Sequence, residues 1–216
     1  MNFRKLAILT SETSWFVPYA KQLSKILRKR RLLAKVFFDH KNISEEFEVV
    51  FILSYFKIIP PKFLSMHRHN IVVHESDLPK GKGWAPLFWQ ILEGKNKIPI
   101  VLFEASENVD DGDIYLKDFL IFEGHELYDE IREKQAKKTI ELCLRFIDDY
   151  EKLKPKKQRG KSTFYRRRTP ADSELDINKT IKEQFNLLRI VNNENFPAFF
   201  YHKGHKYIIN IYKADE

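Results

Sequence analysis

Short apolar runs alternate with amphipathic stretches along the first part of the chain. Four of the runs are short enough to be single buried strands, and they read KLAILT, AKVFFDH, EVVFILSY and NIVVHES. After the first run, apolar side chains recur at helical spacing, at Phe16, Tyr19, Leu23, Ile26 and Leu27. Continuous apolar strands that alternate with helices are typical of a parallel sheet covered on both faces. We therefore predict an α/β fold with a Rossmann-like, doubly wound, mostly parallel sheet.

The rest of the chain predicts a helix, two strands, a long helix and a small C-terminal unit. WAPLFWQILEG reads as a helix with Pro86 near its start and Gly94 after its end. IPIVLFEASENVDDGDIYLKDFLIF reads as two strands around an acidic loop, and HELYDEIREKQAKKTIELCLRFIDDYEKL as a long amphipathic helix. The basic stretch that follows reads as a linker. We predict a main domain at 1–152 and an appendage at 153–216, which holds the linker, a small C-terminal helix and a β-hairpin that turns at Lys203-Gly204.

Composition adds a basic charge and a reducing compartment to this picture. The 216 residues are 43% hydrophobic and 31% charged, with a formal net charge of +8. Such a surplus favours a polyanionic partner, which is a nucleic acid, a membrane surface or a phosphorylated small molecule. The single cysteine, Cys143, excludes a disulfide framework and fits core packing in a cytoplasmic protein. No apolar run approaches the about 20 residues of a membrane span.

The common motifs for nucleotide cofactors and metal ions are missing. Neither G-x-G-x-x-G for a dinucleotide nor G-x-x-x-x-G-K-[ST] for a nucleoside triphosphate occurs. His67 and His69 have no acidic or cysteine partner at metal-ligand spacing. We therefore expect both histidines on a solvated edge and predict no metal.

Polar loops follow three predicted strands at the edge where doubly wound sheets bind ligands, at residues 11–15, 55–60 and 74–84. His74 directly follows NIVV, and a histidine there suits general acid and base chemistry. Asp110, in ENVDDGDI, lies on a further loop and would orient that ring or stabilise its charge. A hydrogen-bonded structural histidine and an ordinary acidic turn explain the same residues, so the residues alone leave both interpretations open.

Two segments resemble the hallmarks of the folate-dependent formyltransferases, which include methionyl-tRNA, glycinamide ribonucleotide and nucleotide-sugar N-formyltransferases. That family has a strand ending N-x-H-x-S-L-L-P, a glycine-bearing loop that opens a helix, and a later L-D-x-G loop. VVHESDLPKGKGWAPLFWQILEG and NVDDGDI are similar to these pieces, and the resemblance covers residues 4–120. It places His74 and Asp110, 36 residues apart, on the family's histidine and aspartate.

One position departs from the family pattern. The family's asparagine stands two residues before the histidine, where this chain has Val72. Asn70 lies on the same face of the strand, but two more residues add about 6–7 Å. We expect that Asn70 does not replace the missing amide, and that Asn108, near Asp110, approaches the oxyanion instead.

The resemblance implies the transfer of a formyl group from 10-formyltetrahydrofolate to an amine, without a metal. His74 would stabilise the tetrahedral oxyanion or accept the amine proton, and Asp110 would hold the ring. The pterin would lie against SYFKIIP and the acidic loop. The residues implied for this cosubstrate are Phe56, Ile58, Asn108 and Asp113.

The C-terminal part indicates which amine accepts the formyl group. TFYRRRTPADSELD and the hairpin after it resemble the tails of nucleotide-sugar N-formyltransferases for 4-amino-4,6-dideoxy sugars on UDP or dTDP, including the pseudaminic-acid branch. The residues assigned to this nucleotide-sugar substrate are Ser11, Thr13, Lys80, Lys82, Trp84 and Arg167. We expect a cytoplasmic enzyme of cell-surface polysaccharide biosynthesis, a homodimer, with no nucleic-acid or membrane partner.

Other acceptors and a non-catalytic role remain as alternatives. Glycinamide ribonucleotide formylation fits the length but lacks this tail, and the methionyl-tRNA enzyme carries a larger C-terminal domain than the residues after the linker provide. With Val72 in place of the asparagine, the chain is alternatively a non-catalytic protein that binds folate, or RNA through KPKKQRGKSTFYRRR.

Overall fold

The computed structural model describes residues 3–214, which form ten strands and five α-helices. The strands are β1 (Lys5–Leu9), β2 (Leu33–Phe37), β3 (Val49–Ile52), β4 (His69–His74), β5 (Lys82–Gly83), β6 (Lys97–Glu104), β7 (Ile114–Ile121), β8 (Phe164–Tyr165), β9 (Ala198–His202) and β10 (His205–Ile209). The helices are α1 (Val17–Lys29), α2 (Pro61–Leu64), α3 (Pro86–Leu92), α4 (Tyr128–Asp148) and α5 (Phe185–Ile190).

Six strands form the central sheet, in the order β2-β1-β3-β4-β6-β7. The first four are parallel, and β6 pairs antiparallel with both β4 and β7. Leu9, Ile52 and Val72 lie side by side in adjacent strands. The carboxyl ends of β1, β3 and β4 therefore meet at one edge of the sheet. The predicted α/β fold with a mostly parallel sheet is confirmed.

Apolar clusters lie on both faces of this sheet, which explains why its strands read as continuous apolar runs. The larger cluster joins α1, α3 and α4 to the sheet and includes Phe51 and Phe146. The smaller one includes Val50 and Phe63, the latter from α2. Cys143 is fully buried in the larger cluster, as predicted, and burial raises the pKa of its thiol.

The prediction that His67 and His69 lie on a solvated edge is wrong, because both side chains are buried. Burial lowers the pKa of His67, whose Nδ1 lies 2.8 Å from the carbonyl oxygen of Phe47. His69 lies between two polar groups, with Nδ1 2.9 Å from Glu104 Oε2 and Nε2 2.8 Å from the Tyr150 hydroxyl. All these partners are distant in sequence, so the local pattern gave no sign of them.

The C-terminal hairpin pairs β9 with β10 and turns at Lys203-Gly204, as predicted, where both residues have positive φ. Before it, the chain returns to the main domain, because Lys156 bridges to Ile114 of β7 and β8 pairs in parallel with β5 in a separate two-stranded sheet. We call residues 154–165 the strap. The domain boundary after residue 152 stays a prediction. Within residues 3–214, no helix combines the length and apolar character needed to cross a bilayer.

An ion pair between Arg189 and Glu126 connects α5 to the loop before α4. Their charged groups lie 3.2 Å apart, and both side chains are almost fully buried. Burial raises the pKa of Glu126, but hydrogen bonds from Lys134 and from the amides of Glu123 and Gly124 outweigh it and lower the pKa to about 2. Since this value lies below the ordinary 4.5, the carboxylate stabilises the fold above pH 4.5, and this contribution is lost as the pH falls towards 2.

Replacing Arg189 by leucine should lower the free energy of unfolding by about 3 kcal/mol, because Glu126 stays buried without its enclosed partner. Urea unfolding at pH 7, followed by circular dichroism, measures the change. The control is Lys137→Ala, which removes an exposed pair with Glu133 and should cost less than about 0.5 kcal/mol. Equal unfolding midpoints for the two variants would contradict this account.

Candidate functional site

Three loops meet at the carboxyl ends of β1, β3 and β4. Ser11 Oγ accepts a hydrogen bond of 2.8 Å from the Phe56 amide, which ties the loop after β1 to the loop after β3. The ring of Phe56 lies 6.3 Å from the ring of Trp84, on the loop after β4. Both rings remain exposed, Phe56 at 48% and Trp84 at 42%. The edge of the sheet therefore carries an aromatic rim that a planar ligand can contact.

His74 and Asp110 lie next to each other behind this rim. His74 Nε2 is 3.8 Å from Asp110 Oδ2 and 2.9 Å from the carbonyl oxygen of Gly81. Because a carbonyl oxygen only accepts hydrogen bonds, His74 Nε2 carries a hydrogen atom and donates a hydrogen bond to the Gly81 carbonyl oxygen. Asp110 Oδ2 also accepts a hydrogen bond of 2.8 Å from the Gly83 amide. His74 is thus a hydrogen-bond donor with a carboxylate beside it.

The loop that carries Asp110 has an unusual backbone that its surroundings hold in place. Asp110 has a φ of 52°, in the left-handed region that few residues other than glycine adopt. Gly112 runs so close to the carbonyl group of Glu104 that any side chain would overlap it. Gln158 Nε2 donates to the carbonyl oxygens of both Asp110 and Gly112, at 2.9 Å each. A side chain of the strap therefore fixes the acidic loop from outside.

The same strap holds the loop that follows His74. The amide of Gly81 donates to Thr163 Oγ1 at 2.8 Å, and the amide of Trp84 donates to the Tyr165 carbonyl at 3.1 Å. Gly83, with a φ of 94°, passes so near that a Cβ atom would lie 2.5 Å from the Tyr165 carbonyl oxygen. Position 83 therefore requires glycine for both its conformation and its contact.

The cationic side chains assigned to the substrate differ in whether they already form an ion pair. Lys82 is only 4% exposed, and its ammonium forms an ion pair with Asp111 that lowers the pKa of the Asp111 carboxyl. Lys80 is exposed and has no ion-pair partner within residues 3–214. The Arg167 guanidinium lies 5.0 Å from the centre of the Trp84 ring. A phosphate would find Lys80 and Arg167 free, but it would compete with Asp111 for Lys82.

The other assigned residues lie on the outside of the loops. Thr13 and Ile58 are exposed, Ile58 at 83%. Asn108 is also exposed, with Nδ2 3.5 Å from Asp111 Oδ2, and the described structure shows no hydrogen bond from it to the His–Asp pair. Asp113 is half-buried, and its carbonyl oxygen accepts a backbone hydrogen bond from the end of β6. The roles assigned to these four residues stay predictions.

Val72, at the position of the missing amide, packs against apolar neighbours on the His74 face of β4. Leu78, Val101 and Phe103 surround it. Asn70 lies two residues back, and its Nδ2 donates to the carbonyl oxygen of Leu64 at 2.8 Å. The Asn70 Nδ2 is thus engaged with Leu64, and the expectation that Asn70 does not replace the family's asparagine stays a prediction.

Gln158, Thr163 and Tyr165 support the site although sequence analysis assigned them to a linker. Tyr165 stacks on Trp89 with ring centres 6.2 Å apart and donates a hydrogen bond of 2.7 Å to Glu93 Oε1. Burial and this hydrogen bond raise the pKa of the Tyr165 phenol. Thr-Phe-Tyr favours a strand, and this was the only local sign of order in the stretch. In the described part of the chain, no cluster of three or more His, Cys, Asp or Glu side chains is arranged to hold a metal ion.

A protein-family model described as formyl transferase matches residues 10–147, which include both His74 and Asp110. The match covers more than half of the chain. The chain therefore belongs to the formyl transferase family.

Individual relatives agree with this assignment. A methionyl-tRNA formyltransferase from Thermodesulfovibrio yellowstonii is 28% identical over 152 residues, which are 69% of this chain and 49% of the relative. The chain thus spans about half the length of the curated relatives it matches.

Solved structures with different activities share the fold. A methionyl-tRNA formyltransferase from Clostridium thermocellum is 20% identical with a TM-score of 0.79, and the match covers 98% of this chain and 94% of that one. A sugar N-formyltransferase from a Shewanella species is 16% identical with a TM-score of 0.71, and the match covers 96% of this chain and 97% of that one. HypX from Aquifex aeolicus in complex with tetrahydrofolic acid is 16% identical with a TM-score of 0.79, and the match covers 97% of this chain and 38% of that one.

Replacing Gln158 by leucine should speed amide hydrogen exchange in residues 105–113 by about 10- to 30-fold. The reason is the loss of two hydrogen bonds of about 1 kcal/mol each, which hold that loop closed. Hydrogen exchange followed by mass spectrometry measures the effect. The neighbouring exposed Lys157→Ala is the control and should leave the loop unchanged. A rate increase spread evenly over the whole chain would instead indicate global destabilisation and contradict a local clamp.

Proposed function

We propose that this protein transfers a formyl group from 10-formyltetrahydrofolate to the amino group of a nucleotide-linked 4-amino-4,6-dideoxy sugar, carried on UDP or dTDP. The observation that carries the proposal is the pairing of His74 with Asp110, 3.8 Å apart, at the carboxyl end of β4 and inside the region matched by the formyl transferase model. A protonated ring nitrogen beside a carboxylate is suited to stabilise the negative charge that develops when an amine attacks a formyl carbon.

The chemistry needs one hydrogen-bond donor and one proton carrier. When the amine nitrogen bonds to the formyl carbon, the formyl oxygen becomes an oxyanion, and His74 Nε2 exchanges its hydrogen bond with Gly81 for one to this oxygen. Asp110 stabilises the positive charge on the ring. The amine loses a proton and the folate nitrogen gains one as its bond to the formyl carbon breaks. As an imidazolium, His74 gives its Nε2 proton to the folate nitrogen when that bond breaks, and the neutral ring then takes the proton that the amine loses.

The donor side of the proposal rests on the aromatic rim. Phe56 and Trp84 offer exposed rings to a flat pterin, and Ile58 adds apolar surface. The carbonyl and amide groups of the acidic loop, where Asn108 and Asp113 lie, can read the edge of such a ring. The tetrahydrofolate complex of HypX, a protein of the same fold, supports a folate donor.

The acceptor side rests on the free cations near the same rim. A nucleotide sugar carries a diphosphate, and Lys80 and Arg167 are cations without a carboxylate partner in residues 3–214. Ser11 and Thr13, at the start of the segment that leads into α1, lie on the neighbouring loop. The sugar N-formyltransferase structure, which this chain matches over 96% of its own length, supports a sugar acceptor.

Methionyl-tRNA is the competing acceptor, because curated relatives carry that activity in their names. Those proteins are about twice as long as the part this chain matches. The two acceptors differ in the chemistry around the amine, so direct assay separates them.

The purified protein should add one formyl mass to one sugar in a panel of UDP- and dTDP-linked 4-amino-4,6-dideoxy sugars, with 10-formyltetrahydrofolate as donor. His74→Ala should lower kcat/KM by about 10²- to 10⁴-fold, because it removes the donor to the oxyanion. Asp110→Ala should lose at least about 10²-fold, because the imidazolium is no longer stabilised. Mass spectrometry of the sugar measures all three rates.

The control for these variants is Asp77→Asn, which changes an exposed carboxylate on the loop after His74 and should keep the wild-type rate. Formylation of methionyl-tRNA or glycinamide ribonucleotide, and of no sugar, would replace the acceptor proposed here. Silence with every acceptor while folate still binds would contradict catalysis altogether.

We also propose that the protein forms a homodimer through the β9–β10 hairpin. Tyr201, Tyr207 and Ile208 are exposed there, at 49%, 46% and 64%. The sheet has two strands, so one side of β10 is an open edge in the described structure. Exposed apolar side chains beside an open edge are typical of an interaction surface.

Ile208→Glu should convert the dimer to a monomer, because the new charge would be buried in the interface without a partner. Light scattering coupled to gel filtration measures the mass. The control is Ile121→Glu, the same change at an exposed position on β7. A wild-type protein that is already monomeric at micromolar concentration would contradict the proposal.

A further inference from the structure

Glu75, the residue after His74, is a buried carboxylate for which the proposed chemistry has no use. Glu75 is only 9% exposed. Within residues 3–214, no lysine, arginine or histidine nitrogen lies within 4.0 Å of its carboxylate. Removing a carboxylate from water without a cation beside it costs several kcal/mol. Such a residue at a ligand-binding edge of the sheet is a candidate for contact with the ligand.

Two side chains fix one oxygen of this carboxylate. Gln135, on α4, donates a hydrogen bond of 2.7 Å from Nε2 to Glu75 Oε1. Arg132 donates one of 2.8 Å to Gln135 Oε1, and its guanidinium lies 4.3 Å from the ring centres of both Trp15 and Phe88. Because Arg132 occupies the oxygen of the Gln135 amide, the NH₂ group has to face Glu75. Oε1 is therefore a committed acceptor.

The other oxygen is free. Glu75 Oε2 accepts no hydrogen bond from the described residues. It is not fully enclosed by protein, so it keeps contact with solvent. The backbone of the residue is held as well, because Gln90 Nε2 donates to the Glu75 carbonyl oxygen at 2.6 Å. Glu75 is therefore a hydrogen-bond acceptor of fixed orientation directly after His74, and its Oε2 can accept a hydrogen bond from a ligand.

We infer that Glu75 is a specificity-determining residue for the acceptor, and that Oε2 accepts a hydrogen bond from an O–H or N–H group of the amino sugar. This inference rests on the proposed function. A site built to accept a hydrogen bond discriminates against molecules without the donor, because such a molecule displaces water from Oε2 and offers no hydrogen bond in return.

Glu75→Gln is the sharpest test, since it keeps the shape of the side chain and its hydrogen bond with Gln135 but presents an NH₂ donor in place of Oε2. The KM for the sugar that the wild-type protein formylates should rise about 10- to 100-fold, while kcat and the KM for 10-formyltetrahydrofolate stay unchanged. Calorimetric titration with that sugar, without folate, should show the same loss of affinity. Asp77→Asn is the matched control.

A purely structural role gives a different result. If Glu75 serves only to link β4 to α4, then Glu75→Gln keeps the wild-type KM and Glu75→Ala lowers the thermal midpoint without changing sugar affinity. That outcome overturns the inference and leaves the proposed function intact. If the wild-type protein formylates no sugar in the panel, the proposed function and the inference fall together.

Discussion

The hydrogen bond from the Gly83 amide to the Asp110 carboxylate joins the two loops on which the candidate site depends. Asp110 has a positive φ that few residues other than glycine adopt, so the conformation of its loop depends on its surroundings. The strap supplies the missing support, through Gln158 on one loop and Thr163 on the other. The distance between His74 and Asp110 is therefore set by a segment far along the chain from both.

Adjacent carboxylates on the acidic loop have opposite environments. Asp111 is paired with Lys82, whose ammonium is buried. Among residues 3–214, the Asp110 carboxylate accepts a hydrogen bond only from the Gly83 amide, and it stays close to His74. If Lys82 were free to reach Asp110, its charge would compete with the imidazolium that Asp110 is proposed to stabilise. The Lys82–Asp111 pair thus keeps a cation away from the His74–Asp110 pair, which is a different task from the phosphate contact expected of Lys82.

Features that depend on local pattern could be predicted from the sequence, and features that depend on distant contacts could not. The strands and the Lys203-Gly204 turn follow from apolar runs and from turn residues. The proximity of His74 and Asp110 follows from the resemblance of their two segments to family motifs. The strap looked like a linker because β8 has two residues and pairs with a strand about 80 positions earlier. The buried histidines and the buried Lys82 were missed for the same reason, since each depends on a partner that no local pattern reveals.

In the proposed reaction, Val72 would make His74 more important than it would be in a site with an asparagine at that position. An asparagine would bring a second donor to the oxyanion, whereas Val72 brings methyl groups that pack against Leu78 and Val101. An apolar wall lowers the local dielectric constant, which strengthens the remaining hydrogen bond from His74 and its attraction to Asp110. The same wall adds no polar group that would need its own partner. A single donor beside an apolar side chain and a carboxylate is therefore a consistent physical alternative to two donors in the proposed reaction.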